Sequence, residues 1–205
     1  MSRAILISAV IIGVMGCAGN RARVGSQRVV ERTPNKVPSW IGQSSWEKGE
    51  NIFYVGAAPG RADFALGLRE AKADAEKKLV EQIRQKIRTE FGSAVEGQNV
   101  DGQMGNYVKD VITKVSENIE VSGAIQDDSY FEKVEERTGS GVRYAFNCWT
   151  TVRLKHSDYL EARRSASVGA VAEARKVNNA RAEATLKRAF EKLENTAPAT
   201  VLSRP

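Results

Sequence analysis

An α+β fold, an antiparallel sheet with two helices packed on one face plus a long C-terminal helix, is predicted by three stretches of this 205-residue chain. Ile52, Phe53, Tyr54 and Val55 form an aromatic and β-branched run too short for a helix, closed by the Gly56 to Gly60 turn cluster, and read as a strand. The period then becomes helical. Phe64, Leu68, Ala71, Ala75, Leu79 and Ile83 recur every three or four residues, while Arg69, Lys72, Asp74, Lys77 and Lys78 fill the charged face. From Val142 to Lys155 the period is two: Val142, Tyr144, Phe146, Cys148, Val152 and Leu154 point one way, and Arg143, Asn147, Trp149, Thr151 and Arg153 the other.

Taken in chain order, residues 1–16 carry one positive charge at Arg3, an apolar run from Ala4 to Met15, and the small Gly16 before Cys17, the pattern of a secretory signal. The run offers about 12 apolar residues against the ~20 a spanning helix needs, which predicts cleavage rather than retention. Val14-Met15-Gly16-Cys17 resembles the lipobox of bacterial lipoproteins. That resemblance implies lipidation of Cys17 by a diacylglyceryl group, cleavage before it, and acylation of the freed amine. Ala18, rather than Asp, implies export to the outer membrane, and several acyl chains on one residue suffice for stable attachment.

Residues 17–38 show no apolar period, and Arg21, Arg23, Arg28, Arg32 and Lys36 face only Glu31. A basic flexible tether is predicted, read first as a solvated spacer, with anionic headgroups or cell-wall polymer as what its charge would otherwise suit. This segment holds most of the net charge of +6. The rest is nearly neutral and lacks a basic stripe with interleaved aromatics, which together with the secretion signal argues against nucleic acid.

Residues 39–156 are ample for one core. At 100° per residue Ile87 and Phe91 drift roughly 100° to 140° from Leu68, so the end of the first helix requires a second partner, either another helix or another subunit. Gly92 to Gly105 holds four glycines in a polar setting and reads as a loop. A second helix is expected from about Asn106, with Val108, Val111, Ile112, Val115 and Ile119 as its stripe. Gln126 to Arg137 and Val142 to Lys155 flank Thr138-Gly139-Ser140-Gly141 as a hairpin. Asp158 and Glu161 are spaced as a capping box after Ser157, opening a single Ala-rich helix over residues 157–195. Its bulky apolars come only at Leu186, Phe190 and Leu193, so it must gain stability by docking or in an oligomer seam. Residues 196–205 read as a frayed tail.

Candidate chemistry is sparse. His156 is the only histidine and sits at a strand-to-helix junction. With Cys17 acylated, Cys148 is the only thiol, on the inward face of its strand, where it acts as a small apolar residue. Asp127, Asp128, Glu132, Glu135 and Glu136 lack the loop spacing of a calcium site and read as a charged strand that discourages edge pairing. No catalytic residue, metal or cofactor is implied, and an enzyme is disfavoured.

Pro38-Ser39-Trp40, then Phe53-Tyr54-Val55-Gly56-Ala57-Ala58, then Arg69 to Leu79 (REAKADAEKKL) behind the lipobox resemble the Lpp-twenty lipoprotein family, over roughly Pro38 to Lys155. The domain of that family is also similar to the N-terminal part of a flagellar assembly protein. The resemblance implies a helix-on-sheet lipoprotein, periplasmic or surface-exposed, with a structural or adhesive role. The expected function is that of a lipid-anchored envelope module, alone or as a homo-oligomer, bound to an envelope protein or cell wall; the alternative is a carrier of a small apolar ligand between sheet and first helix. The expected partner surface is the outward row of the last strand, centred on Trp149 with Arg143, Asn147 and Arg153 around it, because a large ring facing water should be covered. The competing cover is the Ala-rich final helix.

Overall fold

The alternating run from Val142 becomes the middle strand of a five-stranded antiparallel sheet. The structure is a computed structural model that describes residues 23–96 and 102–195. The elements are β1 (Gln27–Thr33), β2 (Ser45–Lys48), β3 (Asn51–Arg61), α1 (Phe64–Glu96), α2 (Gly102–Glu117), β4 (Ile125–Thr138), β5 (Gly141–Lys155), α3 (His156–Lys176) and α4 (Ala180–Asn195). Strand order is β1-β4-β5-β3-β2, antiparallel throughout. The α+β class is as predicted, with the helices packed on the sheet.

Ile52 and Tyr54 of β3, with Val152 and Leu154 of β5, face the helices and join Ala75, Leu79, Ile83 and Ile87 in one core. Phe91 and Phe190 extend that core with ring centroids 4.4 Å apart. Toward the start of α1, Ala58, Ala71 and Cys148 form a second cluster of small residues capped by Phe64, Phe131 and Phe146. The buried positions of α1 include Gly67, Ala71, Ala75, Leu79, Ile83, Ile87, Phe91 and Val95, one every fourth residue. Each step of four advances about 40° around the axis, so the stripe turns by roughly 280° over its length. The sheet covers its first half. The helices of the same chain cover the second, with Arg84 bonded to the Ile119 carbonyl and Tyr159 bonded to Glu90.

β3 does not stop at Gly56 but continues to Arg61, with a register shift between Ala58 and Arg61. Gly56 is buried beneath α1 rather than placed in a turn, and a Cβ there would lie 1.9 Å from the Ala71 carbonyl oxygen. β2 is too short to pair with this part of β3, and α1 takes its place. Asp74 accepts from the Ala57 N–H at 3.0 Å, and Lys78 donates to the Val55 carbonyl at 3.2 Å while pairing with Asp74. Burial pushes the Asp74 carboxyl up, but the Lys78 and Ala57 hydrogen bonds and the Lys78 and Lys77 charges outweigh it and bring it below the usual range. Lys78, expected on an idle charged face, is therefore part of the helix-to-sheet joint.

Other boundaries depart from the sequence reading. β1 lies inside the expected tether: Gln27–Thr33 pairs with β4, as Arg28 opposite Glu135 and Val29 opposite Val134. A polar edge strand carries too few apolar positions to announce itself. Of the expected loop from Gly92 to Gly105, residues through Glu96 belong to α1 and those from Gly102 to α2. The expected tail lies outside the described residues. The capping box does not form, since α3 starts at His156 with Lys155 at the N-cap and no side-chain cap bond; the His156 N–H goes instead to the Glu50 carbonyl.

The single C-terminal helix is in fact a helical hairpin. Asn178 adopts φ 53°, a left-handed conformation that Asn tolerates better than most residues. The Asn179 side chain then accepts from the Ala182 N–H at 3.0 Å as the N-cap of α4. The two helices approach through small residues, with Ala162, Ala166, Ala170 and Ala174 of α3 and Ala182 and Ala189 of α4 all buried. Glu183 clasps the turn, bonded to Arg175 at 2.8 Å and to Lys187 at 2.8 Å.

The hydrogen bonds from Arg175 and then Lys187 hold the Glu183 carboxyl down to about 2. Its folded value is therefore below the ordinary Glu value of about 4.3. Such a group contributes stability that is present above the unfolded value and lost as the pH falls toward the folded one. Thermal unfolding between pH 5 and pH 2 should show a loss of stability that Glu183→Gln lacks; identical acid profiles for the two proteins would mean that the clasp contributes nothing.

Candidate functional site

The outward row of β5 is where the sequence places partner binding, and its geometry follows from register. Tyr130, Trp149 and Ala57 lie across from one another on β4, β5 and β3, on the face turned away from the helices. Trp149 is half-buried, its ring tilted against Tyr130 with centroids 5.5 Å apart. Burial, then the hydrogen bond donated to Glu132 and that carboxylate's charge, push the Tyr130 hydroxyl up to about 12. It stays protonated and serves as a structural donor.

Much of this face is buried, and the Ala-rich final helix is not its cover. Phe53, Val55, Thr151, Tyr130 and Val134 on it are all buried, although α1 to α4 lie on the other side. β1 and β2 occupy opposite edges of the sheet, so residues 34–44 between them must cross it. Trp40 of this strap donates its Nε1–H to Asp128 at 3.1 Å, and the Val55 N–H donates to the Ser44 carbonyl at the far edge. Trp46 adds a stacked ring over Phe53, with centroids 4.8 Å apart and planes within 2°. The sequence offered a signal for the strap in Trp40, Ile41 and Trp46, three large residues in a segment otherwise poor in apolar side chains.

The three polar members of the row each have a neighbour within the chain. Asn147 accepts from the Gly60 N–H at 2.9 Å, closing the bulge in β3. Arg153 pairs with Asp127 at 3.1 Å and Arg143 with Glu136. Arg143 and Arg153 stand ten positions apart on one strand, about 33 Å at the rise of an extended chain, and do not converge on one site. Arg143 belongs to the hairpin tip and Arg153 to the opposite end of the sheet.

Val142 and Tyr144, expected in the inward apolar row, are about half exposed. They lie beyond the reach of the helix layer, whose last aromatic on this side is Phe64, 4.6 Å from Phe131 and 5.7 Å from Phe146 between ring centroids.

Cys148 is fully buried and burial pushes its thiol up, away from the reactive range. His156 opens α3 with its ring 5.7 Å from that of Tyr159. Among the described residues no three His, Cys, Asp or Glu side chains are grouped to hold a metal. Cys17, the expected lipidation site, lies outside the described residues. Open grooves of about 340 Å³ between α2 and α3, beside Val115 and Ala166, and of about 310 Å³ between α3 and α4, beside Val171 and Phe190, mark the helical end. Comparison with protein-family models, curated proteins and solved structures returns no match.

Proposed function

We propose that this chain is a lipid-anchored protein of the bacterial cell envelope with a non-catalytic structural or interaction role, as scaffold, adhesin or appendage-assembly module. It is held on the outer membrane through acylated Cys17, facing the periplasm or the cell surface, with an envelope protein or cell wall as its partner. The observation that carries this reading is the leader itself: a singly charged start, an apolar run and Gly16-Cys17, followed after only nine residues by β1. The likeness of residues 38–155 to the Lpp-twenty lipoproteins points the same way. The carrier alternative would need an empty apolar pocket between the sheet and α1. That space is occupied by Leu79, Ile83, Ile87, Val152 and Leu154, each at most 1% exposed, which favours the scaffold reading. In the same way α2, α3 and α4 supply the cover for the end of α1 that a second subunit could otherwise have given.

Cys17→Ser should abolish acylation, seen as loss of the lipid mass on the N-terminal peptide. The wild-type chain should leave the membrane fraction only with detergent. A Cys17→Ser chain that stays with membranes after a high-salt wash would mean that something other than acyl chains holds the protein there.

A further inference from the structure

The chain enters the fold at one end of the sheet, beside the tip of the β4–β5 hairpin. Gly25 donates its N–H to the Arg137 carbonyl at 2.7 Å, and Arg137 returns a bond to Ser26 at 3.1 Å. The residues just ahead of β1 are thereby pinned to the β4–β5 hairpin tip. Cys17 precedes Gly25 by eight positions, and an extended chain spans at most about 3.6 Å per residue. If Cys17 is acylated, the tip is held within roughly 30 Å of the lipid.

The chemistry of the tip suits that position. Val24 is 72% exposed, Val142 49% and Tyr144 50%, and register places Val142 opposite Arg137 and Tyr144 opposite Glu135. The ion pairs here are one-sided. Arg28 is 73% exposed over a Glu135 that is 15% exposed, and Arg143 is 67% exposed over a Glu136 that is 22% exposed. The carboxylates are tucked into the sheet while the guanidinium groups face outward, so the surface met by an approaching body is cationic with apolar side chains between the cations.

On the reading that Cys17 is lipidated, we propose that the hairpin tip is a membrane-docking surface for an anionic bilayer. Arg28, Arg137 and Arg143 meet lipid phosphates through their exposed guanidinium groups. Val24, Val142 and Tyr144 reach the boundary of headgroup and acyl chain, where amphipathic aromatics settle. α3 begins at the opposite end of β5, roughly 45 Å away along the strand. The docked sheet therefore stands off the membrane and presents its helical end, with the grooves beside α3, to the compartment beyond.

The test uses the full acylated chain in vesicles of phosphatidylethanolamine and phosphatidylglycerol with brominated acyl chains, carrying a fluorophore on Val142→Cys or, at the helical end, on Val168→Cys. Cys148 is fully buried and does not compete for the label. Quenching should be severalfold greater at position 142 than at 168, and should fall when Arg137→Glu and Arg143→Glu are combined or when phosphatidylcholine replaces phosphatidylglycerol. An acylated, vesicle-bound chain with equal quenching at both positions would overturn the docking surface alone and leave the tip to a protein or cell-wall polymer. A chain whose Cys17 carries no acyl group by mass spectrometry would take down the anchor and the docking surface together.

Discussion

Gly56→Ala should be among the most damaging single-methyl additions available in this chain, costing about 3 kcal/mol or more and leaving a poorly folded product. The position lies in β3 directly under α1, where an added Cβ would come within 1.9 Å of the Ala71 carbonyl oxygen, 2.3 Å of the Ala75 nitrogen and 2.9 Å of the Ala75 Cα. All three are backbone atoms, so no rotamer change can make room. The helix would have to lift off the sheet, and Asp74 and Lys78 would lose their bonds to Ala57 and Val55. Overpacking commonly costs about 1–3 kcal/mol where side chains can give way; here they cannot. Gly92→Ala is the matched control. It lies within α1 itself, where an added Cβ meets nothing within 4 Å. Relieving helix-interior glycine should stabilise by up to about 1 kcal/mol. Chemical denaturation of the two variants should move the midpoint in opposite directions; a small loss at Gly56 would mean that α1 does not lie as close to β3 as described.

The same contrast explains which parts of the fold could be read from the residues. The period of four through Ala71, Ala75 and Leu79 and the period of two through Phe146, Cys148 and Val152 record burial, and burial leaves a mark on residue type. Even the rotation of the α1 stripe could be followed to Ile87 and Phe91, with its demand for a second partner, helix or subunit. Elements held by backbone pairing leave little mark. β1 is QRVVERT, mostly polar, and is a strand because β4 presents a free edge to it. The break between α3 and α4 rests on two adjacent asparagines, one in the left-handed region and one capping, and Asn178-Asn179 in an alanine-rich run was the available signal.

The candidate site was legible only in part for a related reason. Alternation placed Trp149 on the face away from the helices, and it is there. The strap that crosses this face comes from more than 100 positions earlier in the chain, fixed by Trp40 and Ser44, and no periodicity connects two such distant segments. Lys78 is a further instance: its spacing put it among solvated charges, yet the shortness of β2 leaves a β3 carbonyl that its ammonium reaches. Arg28 and Arg143 were legible as charges, but that their carboxylate partners are the less exposed member of each pair is visible only in the fold.

Leu79→Ala should cost about 2–5 kcal/mol, the range for removing a fully buried leucine whose surroundings close only partly over the cavity. The residue is 1% exposed and sits at the middle of α1, where its neighbours include core residues of the sheet on one side and of the helical layer on the other. A void there is bordered by β3 and β5, by the backbone of α1 and by helices tied to it through Tyr159–Glu90 and Arg163–Glu90. Burial, and then the hydrogen bond to Glu90, push the Tyr159 hydroxyl far up, so that tie persists across the working pH range and resists collapse of the helical layer into the space. That argues for the upper half of the range. The proper control is Lys77→Ala rather than Lys78→Ala, because Lys77 is 73% exposed and pairs only along its own helix with Glu81 at 3.8 Å, a contact worth about 0.5 kcal/mol or less. Lys78→Ala should fall between the two, since it strips Val55 of its partner. Denaturation midpoints in the order Lys77, Lys78, Leu79 would support the assignment of faces on α1; a Lys77 variant as unstable as the Leu79 variant would mean that the helix is rotated relative to the sheet.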